Sequence, residues 1–217
     1  MKESALGKLI RLCMSITNDE SLMSEFEKEI EQNKNYPALK TMIGSQIKST
    51  NIINLGFDPS ILSIFFYPKT ITEIDLYSST NLGIKCFFMS KGTIFPIHDH
   101  PNRAIVTGVL YGTIKYLSLN KTDNPEVMTQ VNKGTGRKGK IMFSSLYSQN
   151  VHSILALENS IIIDIFMHNV NDMGYYYKPI KKIGKKYIVA IDHHVHFLTR
   201  SFKSFDCDCT KNEYLQF

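Results

Sequence analysis

The feature that most constrains the fold is a change in hydrophobic periodicity near residue 70. From Thr70 onward, short runs of alternating apolar and polar residues are separated by turn-forming residues. A period of two is typical of β-strands with one buried face. Many short strands at this spacing predict a sandwich or a barrel. Twelve strands are predicted, over residues 70–77, 82–89, 94–98, 104–110, 113–119, 126–132, 140–143, 151–157, 161–167, 175–178, 186–191 and 196–199.

The residues before the strands predict helices. Ser4 is a candidate N-cap for a first helix, and a second begins near Asp19 or Ser21. Pro37 suits the first turn of a third helix, and Asp58-Pro59 opens a short fourth one. These helices are short and amphipathic, so we expect them to pack on the strands. The prediction is a single domain over 1–217, with helices in 1–66 and a barrel in 70–200.

Composition excludes several classes of protein. The net charge is +5, and its run of lysines (Lys181, Lys182, Lys185 and Lys186) is interpreted as a solvated loop or strand end, so we expect no nucleic-acid partner. No window approaches 18 apolar residues, and the first twenty lack the apolar core of a signal peptide, so we expect no membrane partner. The four cysteines form no disulfide framework. A monomer in the cytoplasm is expected, with the nucleus as the alternative compartment.

His98 and His100 are the first candidate functional residues. They lie at the end of a predicted strand, where positions i and i+2 point to the same side, so both imidazoles can approach one cation. The pattern Gly92-x5-His98-x-His100-x11-Gly112 resembles the first cupin motif. The resemblance implies a mainly β cupin fold, a double-stranded β-helix or jelly-roll barrel. Ile105 occupies the position where that motif usually has a glutamate ligand.

A third metal ligand is sought on a neighbouring strand. His152 follows a glycine-rich basic loop, in a stretch that weakly resembles the second cupin motif, with Tyr147 and Gln149 in its proline and glycine positions. Other candidates remain open, and they are the cluster His193, His194 and His196, the lone His168, and the Cys207-x-Cys209 pair, which we interpret as exposed thiols.

Three neutral histidine ligands favour a particular chemistry. They leave the full charge of a divalent metal to attract an anionic donor such as a thiolate, whose pKa the metal lowers. Iron(II) differs from zinc in that it binds and activates O₂. A thiol–amine substrate would occupy two open positions of an octahedral metal and leave one for O₂. The product would be a sulfinic acid.

The stretch from Ile94 to Pro101, followed by Val109-Leu-Tyr-Gly-Thr113, resembles the plant cysteine oxidase and 2-aminoethanethiol dioxygenase family. The resemblance covers roughly residues 50 to 180. It implies that His98, His100 and His152 bind Fe(II). It also implies that Asp164 lies close to the active site, and that Tyr176 assists near the substrate. An alternative interpretation makes Asp164 a paired strand aspartate and Tyr176 an ordinary packed tyrosine.

The sequence departs from the family pattern at three places. Residues 166–170 replace the family's usual segment after Asp164, and Arg103 stands where relatives commonly have an uncharged residue. Gly174 corresponds to a cysteine that crosslinks to the active-site tyrosine in some relatives. These departures bear on the substrate more than on the metal.

The leading hypothesis is an iron(II)-dependent dioxygenase that oxidises the N-terminal cysteine of a peptide or protein with O₂. The resemblance implies a role in oxygen sensing through the N-degron route. A dioxygenase of cysteamine or another small aminothiol is an alternative substrate assignment. A cupin module that binds a metal without turnover is the alternative from a different class, favoured by the changed segment after Asp164.

Overall fold

Three helices precede the strands. The computed structural model describes residues 4–32, 38–168, 174–193 and 198–203, with only the backbone in the last range. Helix α1 spans Ala5–Thr17, α2 spans Glu20–Gln32 and α3 spans Ala38–Ser49. The Ser4 hydroxyl accepts the Gly7 N–H at 3.0 Å, which confirms the predicted N-cap.

Shorter 3₁₀ turns connect the helices to the first strand. The predicted fourth helix is a 3₁₀ turn over Pro59–Phe65, and Asp58 accepts the Ser60 N–H at its start. Another 3₁₀ turn, Ile53–Leu55, was not predicted from the sequence. Pro37 lies outside the described residues.

Each of the twelve predicted strands overlaps a strand of the structure. They are β1 Thr70–Ser78, β2 Leu82–Met89, β3 Ile94–Asp99, β4 Ala104–Tyr111, β5 Thr113–Lys121, β6 Val127–Arg137, β7 Ile141–Ser144, β8 Val151–Ala156, β9 Ser160–Met167, β10 Tyr176–Ile183, β11 Lys186–Ile191 and β12 Leu198–Lys203.

The strands form two sheets. The first, called the helix-covered sheet, has the order β12-β1-β2-β9-β4-β7. The second, called the histidine sheet, has the order β10-β11-β6-β5-β8-β3 and closes on itself because β3 pairs with β10. Closure removes the free edges that make open sheets prone to aggregation. The predicted mainly β barrel with helices packed on it is confirmed.

Apolar side chains bury three surfaces of these sheets. One face of the helix-covered sheet packs on α1–α3 through residues such as Phe88 and Ile163. Its other face meets the histidine sheet through a cluster that includes Ile162 and Phe95. A third cluster fills the closed barrel of the histidine sheet, around Leu119. The two sheets therefore enclose a space between them, and the helices support the helix-covered sheet from its other face.

Two strands are longer than the sequence predicts. β6 continues through a glycine-rich stretch predicted as a turn, because β5 pairs with it from Thr113 opposite Arg137 to Lys121 opposite Met128. β10 continues to Ile183 because β11 returns alongside it. In both cases pairing with a neighbouring strand outweighs the local preference of the glycines, the proline and the lysines.

Two of the four cysteines lie in the described part of the chain. Cys13 and Cys86 are buried free thiols, and burial raises the pKa of Cys13 to about 12. At this pKa the thiol is protonated and unreactive at neutral pH. None of the helices in the described ranges is long and apolar enough to cross a membrane.

Candidate metal centre

His98 and His152 are brought together by the pairing of β3 with β8. The two residues stand directly opposite each other in this antiparallel ladder, so their side chains project from the same face of the sheet. A register shift between Phe95 and His98 gives His98 this orientation. His100 follows the end of β3 and joins the pair. Their ligand nitrogens all lie within 4.8 Å of one another, the one metal-ligand cluster found among the described residues.

The distance between two of the rings fits a shared metal. The Nε2 atoms of His100 and His152 are 3.3 Å apart. Two nitrogens that each lie about 2.1 Å from one metal, at angles between tetrahedral and octahedral, are about 3.0–3.4 Å apart. The rings of His98 and His152 cross at 80° with centroids 4.6 Å apart, so the two rings approach the shared space from different directions.

The tautomer of His98 is fixed by its surroundings. Its Nδ1 lies 2.8 Å from the backbone carbonyl of Pro96, which can only accept a hydrogen bond. Nδ1 therefore carries the proton, and the lone pair of Nε2 is left for a metal. Histidine ligands are usually oriented by such a hydrogen bond, donated by the ring nitrogen that does not bind the metal.

The three imidazoles are neutral at physiological pH. Burial is the largest cause that lowers the pKa of His98, and it lowers the pKa values of His100 and His152 well below the usual value. The neighbouring histidines lower the pKa values of His100 and His152 further. Neutral imidazole is the form that binds a metal, so burial prepares the ligands without a competing proton.

Asn150 holds the backbone of His100 in place. Its Oδ1 accepts the His100 N–H at 2.9 Å, and its Nδ2 donates to the His100 carbonyl at 2.8 Å. The same Nδ2 donates to the Ser145 carbonyl at 3.0 Å. His100 lies beyond the end of its strand, so this side chain replaces the ladder bonds that fix the other two ligands. The sequence signal for Asn150 was its place two residues before His152.

Ile105 and Gln149 occupy two informative motif positions. Ile105 is 1% exposed and belongs to the apolar cluster between the sheets, so no carboxylate is supplied from that position. Gln149, in the glycine position of the second cupin motif, has a φ of 58°. The turn therefore keeps the left-handed geometry that usually favours glycine.

Asp164 lies on the opposite sheet, in the middle of β9. It pairs with Lys85 of β2 on one side and with Thr107 of β4 on the other, and it shares its face with Ile162 and Phe166. Its Oδ1 has no hydrogen-bond partner among the described residues. Thr107, which hydrogen-bonds this carboxyl, lines the same cavity as His152.

The carboxyl of Asp164 has a pKa close to physiological pH. Burial raises the pKa of Asp164 to about 7, and the charge of Glu73 adds to this, while the hydrogen bond from Thr107 opposes it. A carboxyl with this pKa exchanges a proton readily at physiological pH.

A small ion-pair group accompanies Asp164 on the helix-covered sheet. The Lys85 ammonium contacts the carboxylate of Glu73 and lies 3.2 Å from that of Asp75. The side chains of Glu73 and Lys85 remain 20% and 29% exposed. The alternation of β1 places Glu73 and Asp75 on one face, and this spacing is the sequence signal for the group.

Tyr176 lies beside the histidines. It pairs with His98 across the ladder between β10 and β3, and the two ring centroids are 5.5 Å apart. Burial raises the pKa of the Tyr176 phenol, and the charge of Glu73 raises it further. The hydroxyl is therefore protonated at neutral pH and can act as a hydrogen-bond donor.

Asp99, between the two histidines, points to the other side of β3. Its side chain is fully buried and contacts the Lys121 ammonium, and Oδ2 accepts the Tyr177 hydroxyl at 2.8 Å. Its Oδ1 accepts the Tyr175 N–H at 2.5 Å. Asp99 thus ties the strand that carries Tyr176 to the strand that carries the ligands. Its alternation with His98 and His100 was the sequence signal for this role.

Gly174 packs directly against the same residue. A Cβ atom at Gly174 would lie 2.0 Å from the carbonyl oxygen of Asp99. A cysteine at this position would require the backbone to move. Glycine at position 174 therefore allows this segment to pack against β3 more closely than a residue with a side chain would.

Two of the other departures meet at His100. The ring of Phe166 lies 5.7 Å from that of His100, and the Arg103 guanidinium lies over the same phenyl ring at 5.8 Å. Arg103 is 6% exposed, and its charge contributes to the lowered pKa of His100. The altered segment and the added cation therefore adjoin one metal ligand.

The remaining candidates separate from the centre or lie outside the described residues. His168 has a φ of 66° and its N–H donates to the Asn81 carbonyl, and it does not join the cluster of three. His193 is described but does not join it either. His194, His196, Cys207, Cys209 and residues 169–170 lie outside the described ranges.

Comparison with known proteins identifies the family. The PCO_ADO family model matches residues 64–214, which is more than half of the chain, and the chain belongs to this family. Over 53 residues it is 32% identical to proteins called 2-aminoethanethiol dioxygenase from Mus musculus and Homo sapiens. This segment is 24% of the chain and spans about a fifth of each relative's length, 21% and 20% respectively.

Solved structures resemble the chain at low identity. A double-stranded β-helix protein from Klebsiella pneumoniae is 13% identical, with a TM-score of 0.40, and the match covers 52% of this chain and 90% of that one. A cupin protein from Desulfovibrio desulfuricans is 15% identical, with a TM-score of 0.36, over 46% and 83% of the two chains.

Proposed function

We propose that the protein is an iron(II)-dependent thiol dioxygenase that converts an N-terminal cysteine to cysteine sulfinic acid with O₂. The observation that carries the proposal is a cluster of three neutral histidines, without a carboxylate ligand, in a chain of the PCO_ADO family. Bound iron(II) would lower the pKa of the substrate thiol and bring O₂ next to sulfur. The thiol gains both atoms of O₂, and sulfur supplies the four electrons that reduce them.

His98, His100 and His152 would hold the iron. These three side chains suit iron(II), because all three rings are neutral. In His98 the hydrogen bond from Nδ1 to the Pro96 carbonyl leaves the lone pair of Nε2 for the metal. Three ligands on one side would leave room at the iron for a thiol, an amine and O₂.

Asp164 would accept the proton released when the substrate binds. An aminothiol held through sulfur and nitrogen would release one proton from the thiol and one from the ammonium, of which Asp164 would accept one and solvent the other. Oδ1 of Asp164 is buried without a partner in the described structure, and a pKa of about 7 suits it to take such a proton and release it later. The Tyr176 hydroxyl, beside His98, would donate a hydrogen bond to the bound substrate or O₂.

Glu73 supports an aminothiol substrate. Its partly exposed carboxylate lies within electrostatic range of both Asp164 and Tyr176. A negative group at this place attracts the ammonium of an incoming N-terminal cysteine. It would attract cysteamine equally, and the similarity to proteins named 2-aminoethanethiol dioxygenase favours that small aminothiol as the second candidate substrate. If O₂ limits the rate, oxidation of a protein substrate reports oxygen supply.

The test uses the iron-loaded protein and peptides that differ only at the first residue. A peptide beginning with cysteine should gain two oxygen atoms by mass spectrometry, whereas the same peptide with an acetylated N-terminus should gain none. In a parallel reaction cysteamine is added as a competitor of the peptide, and the relative yields of the two oxidised products rank the two substrates. An iron-loaded protein that oxidises neither thiol would contradict the proposal and leave a metal-binding module without turnover.

A further inference from the structure

The ribbon formed by β10 and β11 carries the net charge of the whole chain. Residues 178–186 contain five lysines and no acidic residue, whereas the other 208 residues contain twenty basic and twenty acidic side chains. All five lysines are exposed. The ribbon is therefore a concentration of positive charge that attracts an anionic partner.

One face of the ribbon is continuous with the face that carries the metal centre. Tyr176 pairs with His98, and paired residues project to the same side of a sheet. Lys178 lies two residues beyond Tyr176 on the same strand, so it projects to that side as well. Lys178 is exposed, and it is the first charged residue of β10 after Tyr176.

A register shift places two further lysines on this face. Pro179 pairs with Val189, which is buried inside the closed barrel, so this pair faces inward. After the shift, Lys181 pairs with Ile188, one residue before Val189, and this pair therefore faces outward. Lys186, two residues before Ile188, shares the outward face. Lys178, Lys181 and Lys186 are called the lysine track.

The dimensions of the track suit an extended polypeptide. At about 3.3 Å per residue, Lys178 lies about 7 Å and Lys181 about 15 Å along the strand from Tyr176. An extended chain with its first residue at the metal centre would pass these lysines with roughly its third to seventh residues. Ile183, 54% exposed, lies on the same face near the end of the track.

We propose that the lysine track docks an acidic segment, at about positions three to seven, of a polypeptide substrate whose N-terminal cysteine occupies the metal centre. This inference rests on the proposed function and names its substrate class. Charge complementarity and continuity with the site favour a polypeptide. The ribbon from 178 to 186 contains no arginine, the residue best suited to grip phosphate groups with two parallel hydrogen bonds, so a nucleic acid is the weaker match.

The test compares two peptides that begin with cysteine and carry either four glutamates or four glutamines at positions four to seven. We expect kcat/KM for the acidic peptide to be about tenfold higher at low ionic strength, through KM and with kcat unchanged. The preference should fade as salt screens the charges. Replacing Lys178→Glu, Lys181→Glu and Lys186→Glu together should abolish or reverse it.

A matched variant controls for net charge. Lys115→Glu, Lys133→Glu and Lys138→Glu change three exposed lysines outside the ribbon by the same total charge and should keep the preference. Iron content measures folding of both variants. Equal kcat/KM values for the two peptides, or an equal loss in the control, would overturn the inference. So would a ribbon that binds phosphatidylserine vesicles or RNA while ignoring peptide charge.

Binding measured apart from turnover separates this inference from the proposed function. Fluorescence anisotropy of the two labelled peptides reports docking whether or not sulfur is oxidised. Tighter binding of the acidic peptide, lost in the lysine-track variant, supports the docking surface even if no thiol is oxidised. Oxidation of both peptides without a difference in binding keeps the dioxygenase and rejects the track.

Discussion

The two sheets that enclose the site carry polar groups of different kinds. On the histidine sheet, the ligands are neutral, and His98 and His100 are fixed by bonds to Pro96 and Asn150. On the helix-covered sheet, Asp164 keeps one oxygen without a partner in the described structure and a pKa of about 7. Under the proposed function, the first sheet would hold a cation in a fixed geometry, and the second would accept and release a proton.

The difference has a physical cause. Burial disfavours the charged form of both residue types, so it keeps a histidine neutral and ready for a metal, and it keeps a carboxyl partly protonated. The same apolar surroundings between the sheets therefore suit the histidines to the proposed role of metal ligand and Asp164 to the proposed role of proton acceptor. Substitutions on each sheet distinguish these two roles.

Removing one ligand should abolish the metal centre. We expect His152→Ala to weaken iron binding by at least about 100-fold, because loss of a direct ligand costs more than loss of its hydrogen-bonded support. Iron per chain after dialysis, measured by mass spectrometry, checks this. His168→Asn, which suits the left-handed backbone at a histidine outside the cluster, should bind iron normally. Equal iron retention by both variants would assign the metal elsewhere.

Removing the proton acceptor should leave the metal and impair turnover. We expect Asp164→Asn to bind iron normally and to lower kcat by about 100-fold, as is typical for loss of a general base. The rise of kcat with pH near 7 should vanish with it, because the wild-type carboxyl becomes deprotonated in this range. A variant with unchanged kcat and an unchanged pH profile would show that Asp164 is a structural residue.

Two substitutions should move the pH profile in opposite directions. The Thr107 hydrogen bond lowers the pKa of Asp164, so Thr107→Val should shift the rise in kcat to higher pH. The Glu73 charge raises that pKa, so Glu73→Gln should shift the rise to lower pH. Rates measured from pH 5 to pH 9 with saturating peptide check both signs. Shifts in the same direction would contradict the assignment of this ionisation to Asp164.

The smallest effect concerns the strand that carries Tyr176. Tyr177→Phe removes the hydroxyl that donates to Asp99 and should lower the free energy of unfolding by about 1 kcal/mol. Denaturation by urea measures the change. Tyr187→Phe, at a partly buried tyrosine beside the same apolar cluster, is the control and should cost less. If Tyr177→Phe costs no more than its control, the Asp99 bond does not stabilise this strand.

Local patterns predicted the strands, and they also predicted the grouping of the three histidines, because both depend on short spacings. The period of two located all twelve strands, and the i, i+2 spacing of His98 and His100 reflects the same geometry. The lengths of β6 and β10 depend on strands that are distant in sequence, so local preference misjudged them. The sheet order also depends on such distant pairings.

The surroundings of the ligands were harder to predict, because they depend on which strands become neighbours. Asp99 turns away from the metal and binds Tyr177, a residue 78 positions later. Glu73 and Lys85 meet Asp164 only because β1, β2 and β9 lie side by side. The alternation along one strand predicts which face a side chain occupies, but it does not predict which residues of other strands the side chain contacts.

The most direct test of the central claim follows the oxygen atoms. Iron-loaded protein, a peptide beginning with cysteine, and ¹⁸O₂ are combined in unlabelled water, and the product is analysed by mass spectrometry. We expect the cysteine to gain two oxygen atoms, both ¹⁸O, and the His152→Ala variant to give no product. A product that carries oxygen from water, or an equal yield from the variant, would contradict a dioxygenase built on these three histidines.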